Sequence, residues 1–358
     1  MEMIESGLAG VEIISTAKTR TSRRSNTTAT PSNRIQEPQE RIKEMYEQSL
    51  QEEMEETGPP TEEQEVEQYR KYWEKCFGRR HVSYDAETIL GPMYCSTGTI
   101  PCDALPESSL QFFSIKVTDL KYDLSWPLQV YGFVAARDSV DRRRNYLFRC
   151  TRDSCQTLTE DDPFLRLTGP SRAVLMIDPV AIEVQMKVKT KVESEDQVLA
   201  FECFDFHERY PLEDGIRACI PRKRCTLEFA VAVQSMSIEA GVGVRVVSGS
   251  WPDGCPGLIA CNTEKVKEGR VVLLGFQDGK LHTKSDGGDV ELSRRIVSVD
   301  YPAGKLIVSV EASRDRFYAR DMVDFEIKLS GASTATCDLI FCRMEVTVSW
   351  SLLSMYRE

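Results

Sequence analysis

Histidine is almost missing from this chain: His81, His207 and His282 are the only three in 358 residues, and none sits in a recognisable Ser, Cys or Asp context. Nucleophilic triads that rely on a histidine base are therefore poorly supplied. A Gly-rich phosphate loop is also lacking, because Gly241 and Gly243 stand between apolar strand-like segments with no Lys-Ser or helix after them. Cys150 and Cys155, like Cys337 and Cys342, are separated by four residues with no His nearby, a poor pattern for zinc. No catalytic residue, metal ligand or cofactor is expected.

Long apolar runs are absent too. No stretch approaches the ~18 apolar residues of a membrane span, and the N-terminus MEMIESGLAGVEIIST carries acidic residues where a signal peptide has basic ones. Cations are in deficit, with 45 Lys and Arg against 56 Asp and Glu and a formal charge of −11. That balance disfavours general attraction to nucleic acid or anionic membranes. A cytoplasmic or nuclear protein without a membrane partner is expected. The twelve cysteines sit mostly inside apolar runs and read as free core thiols in a reducing compartment.

What is present is enough apolar residue, 41%, for a substantial core. Residues 1–33 are Ser-, Thr- and Asn-rich and read as a disordered leader, in which Lys18, Arg20, Arg23 and Arg24 form a weak nuclear-signal pattern. Residues 34–80 read as two amphipathic helices. The first carries Ile42, Met45, Tyr46, Leu50 and Met54 and stops at Gly58-Pro59-Pro60. The second starts at a capping box, Thr61 with Gln64, and aligns Val66, Tyr69, Trp73, Cys76 and Phe77 before Gly78. That aromatic stripe is expected to dock on the rest of the chain or to meet a protein partner.

Residues 81–109 form a Gly- and Pro-punctuated connector, and from 110 to 358 the period becomes two. Phe113, Ile115 and Val117 alternate with polar residues, as do Val180 to Val188, Leu227 to Val233, Leu306 to Val310, Val323 to Leu329 and Met344 to Leu352. Each predicts a strand with one dry face, roughly ten in all. Turn residues at Asp278-Gly279, Asp286-Gly287-Gly288 and Pro302-Ala303-Gly304 predict successive hairpins. The expected fold is mainly β: an antiparallel β-sandwich or partly open barrel with a helical N-terminal arm.

Two polar segments draw attention. Arg137, Arg142, Arg143, Arg144, Arg149 and Arg152 interleave with Asp138, Asp141 and Asp153, next to Tyr146 and Phe148. They offer an RNA-backbone site, chiefly through Arg142, Arg143 and Arg144, or a loop whose arginines pair with neighbouring aspartates. Asp161 to Arg172, rigidified by two prolines and a glycine, offers either a ligand-binding loop or a stiff connection between strands.

Leu128-Gln-Val-Tyr-Gly-Phe-Val-Ala-Ala-Arg-Asp138, Arg144-Asn-Tyr-Leu-Phe148, Asp162-Pro-Phe-Leu165, Leu167-Thr-Gly-Pro-Ser-Arg-Ala173 and Asp178-Pro-Val180 together resemble the uncharacterised domain of grasses numbered six-five-nine-eight among the domains of unknown function. The likeness covers roughly Leu110 to Leu352. Some relatives are associated with ribosome-inactivating N-glycosidases, so the resemblance implies a plant origin, a stress or defence setting, and rRNA N-glycosidase activity as an alternative to a non-enzymatic binding or regulatory module. The glycosidase pattern needs a Glu and an Arg three residues apart on a helix. Glu311 and Arg314 have that spacing, but Asp315 follows where the pattern has an aromatic residue, and the preceding alternation predicts a strand.

Overall fold

The computed structural model describes residues 12–14, 60–78, 83–92, 100, 102–207, 216–264, 269–284, 288–314 and 317–354. The expected leader apart from Glu12–Ile14, and the expected helix from Gln36 to Met54, lie outside the described residues. In chain order the described elements are β1 (Glu12–Ile14), helix α1 (Glu62–Phe77), β2 (Glu107–Thr118), β3 (Leu128–Arg137), β4 (Asn145–Cys150), β5 (Gln156–Leu158), β6 (Val180–Val188) and β7 (Gln197–Phe206). Then come β8 (Ile216–Pro221), β9 (Thr226–Gly249), β10 (Gly257–Thr263), β11 (Arg270–Phe276) and β12 (Ile296–Asp300). The last strands are β13 (Lys305–Arg314), β14 (Phe317–Glu326), β15 (Ser330–Asp338) and β16 (Cys342–Ser351). The fold is mainly β, with antiparallel pairing in all three sheets and no closed barrel among the described residues.

One strand organises the molecule. β9 runs for 24 residues, and its two ends belong to different cores. Its first half pairs with β2 and β8, and Leu227, Phe229 and Val231 pack with residues of the β4-β3-β6-β7 sheet. Its second half pairs with β12 and β16, and Ile238, Ala240, Val242 and Val244 pack with residues of the β11-β10-β13-β14 sheet. Within each half of β9 the apolar residues alternate with small or polar ones, so each half turns one apolar face to its own core. Each fully buried Phe or Leu in these cores contributes about 1.5–3 kcal/mol relative to exposure.

The capping box at Thr61 and Gln64 is present, with Thr61 N donating to Gln64 Oε1 at 2.8 Å and Gln64 N donating to Thr61 Oγ1 at 3.3 Å. Acidic Glu62, Glu63 and Glu65 in the first turn complement the helix dipole. The helix packs on β7, buries Val66 and Trp73, and sets Trp73 edge-on against Tyr84 at 5.4 Å. Glu62 ties its start down by accepting hydrogen bonds from Phe201 N and Lys223 N. No helix among the described residues is long and apolar enough to cross a membrane.

Several sequence expectations change. Among the described residues sixteen strands form where the sequence predicts roughly ten, β1 lies within the expected leader and pairs with β8, and Asp278-Gly279 follows β11 without closing a hairpin, since β11 pairs with β10. β6 does not have one dry face: Glu183, on its polar side by alternation, is fully buried because α1 and the segment around Tyr84 cover that face. The Pro302-Ala303-Gly304 turn does not close a hairpin, since β12 pairs with β9 whereas β13 pairs with β10 and β14. It carries the chain from one sheet to another, and both strands still face the same core through Val297, Val299, Leu306 and Val308.

Candidate binding groove

The two arginine-bearing segments fold inward. Arg137 and Arg144 converge on Glu183: Arg137 Nη2 donates to Glu183 Oε2 at 2.6 Å and Arg144 Nη2 donates to Glu183 Oε1 at 2.6 Å. Burial pushes the Glu183 carboxyl up, but hydrogen bonds from Arg144 and the attraction of Arg137 outweigh it and hold the group below the usual carboxylate range. Tyr84 lies under both guanidinium groups, at 4.2 Å and 5.1 Å. The remaining members are also partnered, Arg143 with Asp141, Arg149 with Glu87, Arg152 with Asp196, and Arg142 over the Phe77 ring and 3.9 Å from Asp178. Only the Arg143 pair follows the sequence expectation of neighbouring aspartates.

The second segment is anchored in the same manner. Asp138 accepts two hydrogen bonds from Arg172 and three more from the backbone N–H groups of Val140, Asp141 and Leu175. Asn145 receives Ser171 N and donates to the Arg172 carbonyl, while Glu239 on β9 accepts from Ala173 N. Gly169 is sterically obligatory, because a Cβ there would stand 1.8 Å from the Tyr146 carbonyl oxygen. Thr168, Pro170 and Ser171 are thereby fixed as one wall of a surface groove of 570 Å³.

The groove floor is the outer face of β9 and β16. Gly243 stands opposite Thr347 and Gly241 opposite Ser349, while the alternate residues Val242, Val244, Val346 and Val348 face the core. Ile296, paired with Gly241, and Arg295 form the second wall. A smaller basin of 260 Å³ continues the groove, sharing Gly243, Arg295 and Thr347 and adding Arg245, Lys284, Asp289 and Glu345.

The floor glycines answer no steric demand of the protein. A Cβ on Gly241 would meet nothing closer than 3.8 Å, one on Gly243 nothing closer than 3.9 Å, and neither has a positive φ. A glycine inside a strand is destabilising by roughly 0.5–1 kcal/mol relative to alanine and often marks a bulge, a bend or a close approach to the backbone, and here the β9–β16 register runs without a bulge from Met344 to Ser351. The sequence pattern gives these two glycines no role, because no phosphate loop follows them. Their signal was the register that places them beside Thr347 and Ser349, and register needs the partner strand.

Glu311 and Arg314 lie on β13, not on a helix. Glu311 is bound by Arg270 at 2.6 Å and by Arg320 at 3.2 Å, and Arg314 donates to the Asp253 carbonyl. The two side chains are thus engaged separately.

These features define a mainly β protein with an ionically braced wall and an open, hydroxyl-lined groove. Residues 109–348 match the family model described as Domain of unknown function (DUF6598), and the chain belongs to that family. All the residues lining the larger basin except Pro92 and Ser349 fall within the matched span. No curated protein matches the chain. Among solved structures it is similar to the human GIVD cytosolic phospholipase A2, at 9% identity over 70% of this chain and 31% of that one, with a TM-score of 0.25. The same phospholipase in complex with methyl gamma-linolenyl fluorophosphonate matches at 12% identity over 69% and 33% of the two chains, TM-score 0.24. The paired C2 domains of Extended-Synaptotagmin 2 match at 7% identity over 76% of this chain and 100% of theirs, TM-score 0.26. The chain spans about a third of the phospholipase's length, and TM-scores this low do not establish a shared fold.

Proposed function

We propose that this protein is a non-enzymatic binding module, with each core enclosed sandwich-fashion between stacked sheets, that holds a small ligand in the groove over β9 and β16. The observation carrying this is the pair of strand glycines, Gly241 and Gly243, whose missing side chains leave the floor open although the surrounding atoms would accommodate a Cβ. The volume, 570 Å³, falls inside the range of about 300–1,000 Å³ usual for small-molecule sites. A cytoplasmic or nuclear setting and, from the resemblance, a grass origin belong to the same proposal.

The rRNA N-glycosidase alternative gains no support from Glu311 and Arg314, which the strand separates. RNA binding through Arg142, Arg143 and Arg144 gains none from side chains already engaged by Glu183, Asp141 and Phe77. A protein partner could use the β surface, whereas the apolar face of α1 is already covered by Tyr84 and β7.

The test is thermal-shift screening of the full chain against separate panels of sugars, sugar phosphates, organic acids, amino acids and nucleotides, alongside a Gly241→Val, Gly243→Val variant. Stabilisation of the wild type by members of one panel, lost in the folded variant, supports the groove. Equal shifts in both proteins, or none in any panel, refute it.

A further inference from the structure

The groove lining also narrows the chemistry of its occupant, and this step rests on the binding function proposed above. We propose that the groove binds a polyhydroxylated anion, a sugar-like skeleton bearing a phosphate or carboxylate, with the ring over Gly241 and Gly243 and the anionic group on Arg295.

Charge selects the anion. Among the described residues Arg295 is the one charged side chain lining the larger basin; it is exposed, and its guanidinium makes no ion pair or hydrogen bond with any of them. Its neighbour Arg294 shows the contrast: it is fully buried, and its Nη2 donates to the Phe112 carbonyl at 2.7 Å. Alternation along the chain sends one guanidinium between the two cores and presents the next to the groove. A free guanidinium offers a planar fork of donors that matches phosphate and carboxylate oxygens. In the smaller basin the cations are offset by Asp289, 3.9 Å from Arg245, and by Glu345, so an anion is drawn to the junction at Arg295.

Hydroxyls select the skeleton. Thr168 on the braced wall, Ser293 beside Arg295, and Thr347 and Ser349 on β16 all line the basin, and none of these side chains hydrogen-bonds within the described residues. Each hydroxyl can donate once and accept twice, so the best-matched ligand carries groups that do both, as sugar hydroxyls do. The glycine floor admits a ring to the sheet surface, and Ile296, Pro170 and Pro92 supply apolar contact for its C–H faces. Among the described residues no aromatic side chain lines the basin, so none of them offers the stacking platform a nucleobase would use. β9 and β16 are both paired along this stretch, so the floor has no free edge for an added peptide strand.

The experiment is isothermal titration calorimetry of the full chain with glucose 6-phosphate, glucuronate, glucose and inorganic phosphate as probes, repeated on Arg295→Gln and Gly243→Val after circular dichroism confirms both are folded. The expected result is that at least one sugar anion binds more tightly than glucose and phosphate, that Arg295→Gln weakens it about tenfold or more, and that Gly243→Val abolishes it. Preference between the two sugar anions tells a phosphate source from a carboxylate one. Glucose binding as tightly as its phosphate, unchanged by Arg295→Gln but lost in Gly243→Val, would overturn the anion assignment and leave the groove intact. Phosphate binding as tightly as the sugar anions would reduce the site to an ion site and overturn the skeleton assignment. No binding by any probe, or binding indifferent to Gly243→Val, would overturn this proposal and the groove function together.

Discussion

Arg172 and Asp138, 34 residues apart, meet through two charge-assisted hydrogen bonds of 2.6 and 2.7 Å at a point where neither side chain reaches solvent. The pair pins the segment from Thr168 to Ser171 from behind, so the groove wall stands on a braced support instead of a free loop. A second buried set, Arg137 and Arg144 on Glu183, lies under α1 and joins the helix side of the molecule to β3, β4 and β6.

Removing one partner of a buried pair strands the other charge. Arg172→Ala is expected to cost about 3–5 kcal/mol in urea unfolding, because Asp138 stays buried with only backbone donors. The double replacement Asp138→Asn, Arg172→Met should recover part of that loss, since no uncompensated charge remains and the amide oxygen can still accept from the backbone N–H groups.

Gly243→Ala is expected to leave stability unchanged or raise it by roughly 0.5–1 kcal/mol, because strand glycine is entropically unfavourable and the position has room for a Cβ. Chemical denaturation checks this. A loss of more than about 1 kcal/mol would mean that the fold itself needs the glycine.

Glu202, beside Arg222, Glu65 and Glu62 where α1 begins, has its carboxyl pushed up to about 7, chiefly by burial and against the pull of Arg222. A folded-state pKa above the unfolded one gives stabilisation that is complete below the ordinary carboxylate range and is lost as the pH rises through about 7. Hydrogen exchange in α1 should therefore be slower near pH 6 than near pH 8 after correction for intrinsic rates, with Glu202→Gln flattening the difference.

Depurination of ribosomes by the purified protein is expected at background level, with Glu311→Ala indistinguishable from wild type. Activity that disappears in the variant would restore the glycosidase alternative.

Arg144→Ala is expected to destabilise the fold, whereas Arg142→Ala and Arg143→Ala, which release less buried contacts, should have small effects. Filter binding of RNA between about 50 and 200 mM salt should show no steep salt dependence attributable to these residues. A steep dependence removed by the Arg142 and Arg143 changes would establish an RNA interface.

Local chemistry determined much of this protein before any tertiary contact. The capping box at Thr61 and Gln64 set the start of α1, and period-two alternation placed β2, β6, β9, β13 and β16, because both signals involve residues within a few positions of one another. The string of motifs marked the family for the same reason.

Tertiary structure decided what the chain does with those elements. The partner of Arg137 and Arg144 is Glu183, 46 and 39 residues away, so inspection of the neighbouring aspartates could not find it. Pairing with β16 gives Gly241 and Gly243 their meaning, since the cross-strand neighbours Ser349 and Thr347 lie more than a hundred residues further along the sequence. The segment from Leu167 to Ala173 becomes a groove wall only because Asp138, Asn145 and Glu239 hold it there. Helical and strand periods are local properties of the backbone, whereas a site is the meeting of distant segments, fixed by register and by the need to partner every buried charge.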